Sequence, residues 1–200
     1  ITNTVDEISK LSYWAYNGNN EKYSVYIPVT MSGTGGTKTA VVEILVNTGM
    51  PFTDIAKGST FYEYINYCYK NEIMGGKSAT YFDAKSNITR AQLVVTLYRM
   101  EGSPATYNSR VLPFTDTAGL NTEFTNALKW ATAKGIVNGY GDGRFCPEQT
   151  VTRQEMCKMI GAFLAYRGKE LPKGTGQAAG YKDAGNIAPW ALPYVESLTA

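Results

Sequence analysis

The chain has 200 residues, with 19 basic against 17 acidic side chains for a net charge of +2, and no histidine. That length allows one or two domains with a buried core; the balanced charge excludes an electrostatic nucleic-acid footprint, and the missing imidazole excludes histidine triads, histidine-ligated zinc and imidazole general bases. Only 18% of residues are charged, and 20 glycines and 15 tyrosines stand out in a chain that is 44% hydrophobic, a composition of folded rather than disordered protein.

Cys68, Cys146 and Cys157 are too widely spaced for a zinc ribbon or a paired disulfide framework and read as small buried thiols. No apolar run approaches the roughly 18 residues of a membrane span, and the longest, Ala40 to Val46, is interrupted by Glu43. The first residue is Ile1, and no basic stretch leads into an apolar segment, so a signal peptide is expected only upstream of these residues.

In chain order, residues 1–48 read as an N-terminal extension or the tail of a preceding domain. Val5 to Tyr16 has the pattern of a helix, and Tyr23 to Thr30 and Thr39 to Asn47 read as two strands around the loop Ser32-Gly33-Thr34-Gly35-Gly36. Ile1-Thr2 with Ala15-Tyr16-Asn17-Gly18 echoes Val151-Thr152 with Ala165-Tyr166-Arg167-Gly168. The apolar positions between do not register, and the echo is read as coincidence.

From residue 49 the chain repeats itself. The run Ile73-Met74-Gly75-Gly76, Tyr81-Phe82, Ile88-Thr89-Arg90-Ala91-Gln92 returns 63 positions later as Ile136-Val137-Asn138-Gly139, Arg144-Phe145, Val151-Thr152-Arg153-Gln154-Glu155. Pro51-Phe52-Thr53-Asp54 returns 62 positions later as Pro113-Phe114-Thr115-Asp116. A third copy opens at Tyr181-Lys182-Asp183, with Trp190 in the place of Phe61 and Phe124, and its second helix is absent from the 200 residues. The copies span 49–104, 111–170 and 178–200.

Each full copy reads as helix, loop, helix. The first helix is expected near Phe61 to Lys70 and Phe124 to Lys134, with Phe124, Leu128, Trp130 and Ala131 on a buried face. Gly135 ends it in copy two where copy one has Asn71-Glu72. Gly139-Tyr140-Gly141-Asp142-Gly143 has turn chemistry. The second helix carries Leu93, Val94, Leu97 and Met100, or Met156, Met159, Ile160, Phe163 and Leu164. Thr152 with Glu155 is a capping box, and Thr89 with Gln92 is its uncharged version.

Arg90 and Arg153 fall in the first turn of these helices, where a cation meets the positive end of the macrodipole. Two uses are open. One is a ligand carboxylate, taken bidentately beside free helix N–H groups. The other is an ion pair with an acidic residue of a neighbouring copy, such as Asp116 or Asp183.

Phe-x-Asp, an aromatic-led helix, a loop glycine, Phe, then Thr-Arg-x-Glu/Gln is a pattern that resembles the S-layer homology (SLH) domain. It covers residues 51–200 in two copies and the start of a third. The resemblance implies a mainly α fold of tandem helix-loop-helix repeats in a pseudo-trimeric module. It implies a secreted, non-catalytic anchor at the cell wall of Gram-positive-type bacteria, with anionic, pyruvylated secondary cell-wall polysaccharide as partner in grooves between copies. Other S-layer subunits are a further partner under the alternative of a lattice component. A further alternative is the C-terminal anchor of a secreted polysaccharide-degrading enzyme. No cofactor, metal or nucleic acid is implied. Position by position, Arg90 and Arg153 would bind the carboxylate, Gly76 and Gly139 would admit the sugar, and Trp190 would stack on it or anchor the core. Asp54, Asp116 and Asp183 match the family aspartate, with turn formation or capping as the bland role. Gln92 stands where the family has glutamate, and Gln154 where it has alanine.

Two other chemistries find little support. No acidic pair is singled out for glycoside cleavage, and Gly141-Asp142-Gly143 supplies one carboxylate where a calcium loop supplies several.

Overall fold

The computed structural model describes residues 22–33, 36–47 and 49–199. The helix expected over Val5 to Tyr16 lies outside them. Strands β1 (Lys22–Gly33) and β2 (Gly36–Asn47) form an antiparallel hairpin in unbroken register from Lys22↔Asn47 to Gly33↔Gly36. Both run longer than the sequence pattern suggests, because the pairing continues through Met31, Ser32, Thr37 and Lys38 to the Gly33↔Gly36 pair beside the turn. Thr30 and Thr39 face each other and share a hydroxyl hydrogen bond of 2.9 Å.

The repeats are helical, as expected. Copy one contains α1 (Tyr62–Lys70) and α2 (Arg90–Met100), copy two α3 (Thr122–Ala133) and α4 (Arg153–Tyr166), and copy three the single helix α5 (Leu192–Leu198). Thr89 and Thr152 cap α2 and α4, and in both the side chain three positions on returns to the cap N–H, so both capping boxes form. Helix α3 starts two residues before Phe124 because the Asn121 side chain accepts the Phe124 N–H at 2.9 Å. It ends as the sequence implies, with Gly135 at φ +69°. The matching residue of copy one, Glu72, is held in the same left-handed region at φ 57°. Helix α5 begins past Trp190 with Pro193 in its first turn.

Helices pack across copies. Helix α3 lies on α2, and α5 lies on α4. The main core therefore straddles copies one and two: Leu93, Val94, Leu97 and Tyr98 of α2 meet Ala127, Leu128, Trp130 and Ala131 of α3, with Ile136, Phe145, Met159 and Phe163. Trp130 is wholly buried against the rings of Tyr98, Phe163 and Tyr166. Two smaller clusters stand apart, Met50, Phe52, Ile55, Tyr62 and Ile65 in copy one and Ala178, Ala191 and Val195 in copy three. Among the described residues no helix is long and apolar enough to cross a membrane.

Candidate functional site

The sequence directs attention to the loop between the helices of each copy and to the start of the second helix. In copy one the loop opens with Gly76. A Cβ there would stand 2.4 Å from the Phe52 ring and 2.6 Å from the Tyr81 carbonyl. In copy two Gly139, at φ +67°, would meet Phe114 at 2.5 Å and the Arg144 carbonyl at 2.7 Å. The fold itself requires both glycines, whatever approaches from outside.

Asp54 and Asp116 clamp the far end of the same loop. Asp116 accepts the N–H groups of Phe145 and Cys146 at 2.9 and 2.8 Å, and Asp54 those of Phe82 and Asp83, both at 2.8 Å. Asp83 and Cys146 are themselves left-handed, at φ 66° and 56°. The aspartates thus pin a strained turn to the segment that opens the copy. Burial pushes both carboxyls up, but the two N–H donors outweigh it, and both sit below the usual carboxylate range. Asp183 is exposed, and its carboxylate makes no hydrogen bond among the described residues.

The two arginines part company. Arg90 is 4% exposed. Its Nε donates to the Phe145 carbonyl at 2.8 Å and its Nη1 to Glu155 Oε1 at 2.7 Å, both in copy two. The guanidinium lies between two rings, 4.6 Å from the Tyr140 centroid and 4.8 Å from that of Phe145. The N–H groups beside it are also taken: Arg90 N donates to Gln149 O and Ala91 N to Pro147 O, while Val151 N returns a bond to Ile88 O. Of the two uses open from sequence, Arg90 serves the ion pair between copies, with Glu155 as partner in place of Asp116 or Asp183. A ligand reaches its guanidinium only by displacing Glu155 or a ring. Arg153 is exposed, and its side chain makes no hydrogen bond or ion pair among the described residues. Its charge opposes the upward push of burial on the Cys157 thiol one turn along α4.

Glu155 is the centre of this contact. It also accepts the Tyr140 hydroxyl, and its second oxygen accepts the N–H and hydroxyl of Thr152 at 2.9 and 2.8 Å. Burial raises its carboxyl, but the Tyr140 and Thr152 donors and the Arg90 charge together hold it below the ordinary value. Burial and the Glu155 hydrogen bond push the Tyr140 phenol up to about 12. Sequence reasoning passed over this cluster, although it left a trace. Where copy two has Tyr140 and Glu155, copy one has Lys77 and Gln92.

A groove of about 510 Å3 runs along the face where copy one meets copy two. Its walls are the loop residues Gly76, Lys77, Ser86 and Asn87, the α2 residues Gln92, Thr96 and Arg99, and the Phe124 ring. Arg99 is held by Glu123 through paired bonds of 2.6 and 2.7 Å. A neighbouring groove of about 620 Å3, lined by Tyr69, Asn71, Met74 and Ser103, meets the first at Arg99. Trp190 holds the Phe124 place in copy three. It is 47% exposed, with Lys158 Nζ 5.4 Å from its ring centroid. Among the described residues no cluster of acidic or sulfur side chains could hold a metal ion.

The S-layer homology domain family matches residues 51–94 and 113–157. The chain is 31% identical over 173 residues to an endoglucanase of Bacillus sp. (strain KSM-635), a match covering 86% of this chain and 17% of that protein. It is 31% identical over 123 residues to cell surface glycoprotein 1 of Acetivibrio thermocellus, covering 60% of this chain and 5% of that protein. It is 29% identical over 130 residues to the cellulosome-anchoring protein of the same organism, covering 60% and 26%. The chain thus spans about a quarter or less of the length of each of these relatives.

Proposed function

We propose, from the premise that this chain carries two S-layer homology domains at 51–94 and 113–157, that it anchors a larger secreted protein at the bacterial cell surface. Relatives named a cell surface glycoprotein and a cellulosome-anchoring protein support the location. The endoglucanase match spans a region that includes both domains and only a small part of that enzyme, in keeping with a module whose own role is non-catalytic.

The ligand in this reading is an anionic secondary cell-wall polysaccharide. The observation that carries it is the groove of about 510 Å3 between the first two copies. Amide and hydroxyl groups on Asn87, Gln92 and Thr96 line a space the size of a sugar beside the apolar Phe124 ring, and Lys77 and Ser86 line it while bonded to Asp83 at 2.8 and 2.7 Å. In the second copy Lys158 and Trp190 hold the places of Val95 and Phe124, and the exposed Arg153 supplies a fork for a ligand carboxylate. Arg90, Gly76, Gly139 and Asp116 act by shaping the grooves, and Arg153, Trp190 and Asp183 are the side chains left to touch the polymer.

Sedimentation with purified walls tests this. The protein is expected to pellet with walls that keep their secondary polymer and to stay in solution with walls stripped of it. Thr96→Trp fills the first groove and Arg153→Ala removes the cation of the second, and together they are expected to weaken pelleting by about tenfold or more. Equal pelleting with stripped walls, or by the double variant, overturns the assignment.

A further inference from the structure

The two grooves on the face between copies one and two share a wall. Met74, Gly75 and Arg99 line both the space of about 510 Å3 and the one of about 620 Å3 beside it. Each alone is of a size that takes a drug-sized molecule, roughly 300 to 1,000 Å3, so the pair in line exceeds what one sugar ring fills. The two are also built alike. The first sets Phe124 beside the amides and hydroxyl of Asn87, Gln92 and Thr96. The second sets the Tyr69 ring, held edge-on against Phe52 with centroids 5.2 Å apart, beside the amide of Asn71 and the hydroxyl of Ser103. An aromatic face ringed by amide and hydroxyl groups has the chemistry to hold a sugar.

The junction between them is kept open by a glycine that the fold does not need. At Gly76 a Cβ would run into Phe52 and two carbonyls, whereas at Gly75 it would meet nothing within 4 Å. Gly75 is also outside the left-handed backbone region that favours glycine. A side chain at 75 would therefore find open space where the grooves meet. Across the junction Arg99 is held in place: Glu123 takes its Nε and Nη2 at 2.6 and 2.7 Å, and Nη1 makes no hydrogen bond or ion pair among the described residues. In copy two Asn138 stands in the place of Gly75 and Ala162 in that of Arg99, so neither the gap nor its cationic wall is repeated.

Charge gives the pair a direction. Lys77, Asp83 and Arg99 border the first groove and Glu72, Arg99 and Glu123 the second, so bases outnumber acids at one end and acids outnumber bases at the other. The Glu123 bond raises Arg99 above its ordinary value against the effect of burial, and the Glu72 charge adds to the rise. An acid-bearing sugar fits the Lys77 end and is repelled from the Glu72 end, where an uncharged sugar meets no such penalty.

We infer that the two grooves form one trough, which takes an acid-bearing sugar of the wall polymer in its half of about 510 Å3 and the next, uncharged sugars of the same chain past Gly75 in its half of about 620 Å3. This rests on the polysaccharide reading of the first groove and adds to it a length, a direction and a second subsite.

Calorimetric titration of the full 200-residue chain with secondary-polymer fragments of one, two and four sugars, each ending in the acid-bearing sugar, tests it. Affinity is expected to rise about tenfold from the one-sugar to the four-sugar fragment. Asn71→Trp, which fills the second groove from an exposed position, is expected to leave the one-sugar affinity within about twofold and to remove the rise, at unchanged helix content and melting temperature. Gly75→Asn, the copy-two residue, narrows the junction instead and is expected to remove most of the rise. One-sugar and four-sugar fragments binding alike in the unaltered chain overturns the inference and leaves the polysaccharide reading standing. A rise that persists in the folded variants overturns it too, since the added sugars then lie elsewhere. If no fragment of any length binds, the polysaccharide reading fails and the trough with it.

Discussion

Arg90 and Arg153 hold the same place in the repeat and have opposite surroundings. Removing the buried Arg90 side chain leaves the part-buried Glu155 without its cation, so Arg90→Ala is expected to cost about 3 kcal/mol in urea unfolding. Arg153→Ala, on an exposed site, is expected to stay within about 0.5 kcal/mol. Acid acts on the same contact. The ordinary Glu155 value is 4.5 and its folded value is lower, so its stabilising contribution is complete above 4.5 and disappears as pH falls through the folded value. Asp116, with ordinary value 3.8 and likewise lowered, adds to the loss in the same direction. Acid titration followed by Tyr140 and Trp130 emission is expected to show a transition below about pH 4 that Glu155→Gln removes or moves. At this scale the sequence disclosed which residue types repeat but not their company. That an arginine crosses to the next copy was written only in a difference, Gln92 against Glu155, whose meaning depends on which copies are neighbours.

Element boundaries were the more legible part. Thr89 and Thr152 with their return partners marked the start of both second helices, since a capping box is a local exchange of hydrogen bonds that needs no tertiary context. Gly135 marked the end of α3 for the same reason. The earlier start of α3 was less visible, because Asn121 is one of several polar residues in a turn-rich stretch and only its bond to Phe124 N selects it. The aspartate clamp was legible as turn chemistry but not as a tie spanning 28 to 30 positions. One element carries a defect that invites repair. Glu72 takes a left-handed conformation that costs a residue with a Cβ about 1 kcal/mol or more. Glu72→Gly copies the solution of copy two and is expected to raise stability by about 1 kcal/mol, read as a higher melting temperature at unchanged helix content.

Across the whole molecule, stability is concentrated where copies meet. The largest core belongs to α2, α3 and α4 together, and copies one and three keep only small clusters of their own. This explains why the repeat was easy to see and the packing was not. Periodicity records that a unit recurs, whereas the partner of each face depends on chain order.

The bridge between copies also decides how the molecule bears tension. Three backbone bonds join residues 88–91 to 147–151, and the Arg90 guanidinium reinforces them. They close a loop that contains α3 and most of the main core. A pull on the two ends, of the kind a surface-held protein receives from its cargo, passes across this bridge and bypasses residues 92–146. Those residues stay unstretched until it breaks. Single-molecule pulling is expected to show one abrupt release of roughly 190 Å of chain, and Arg90→Ala to lower the force at which it comes. Under such a pull, a bridge of three backbone bonds and one ion pair holds back the length of a whole helical unit.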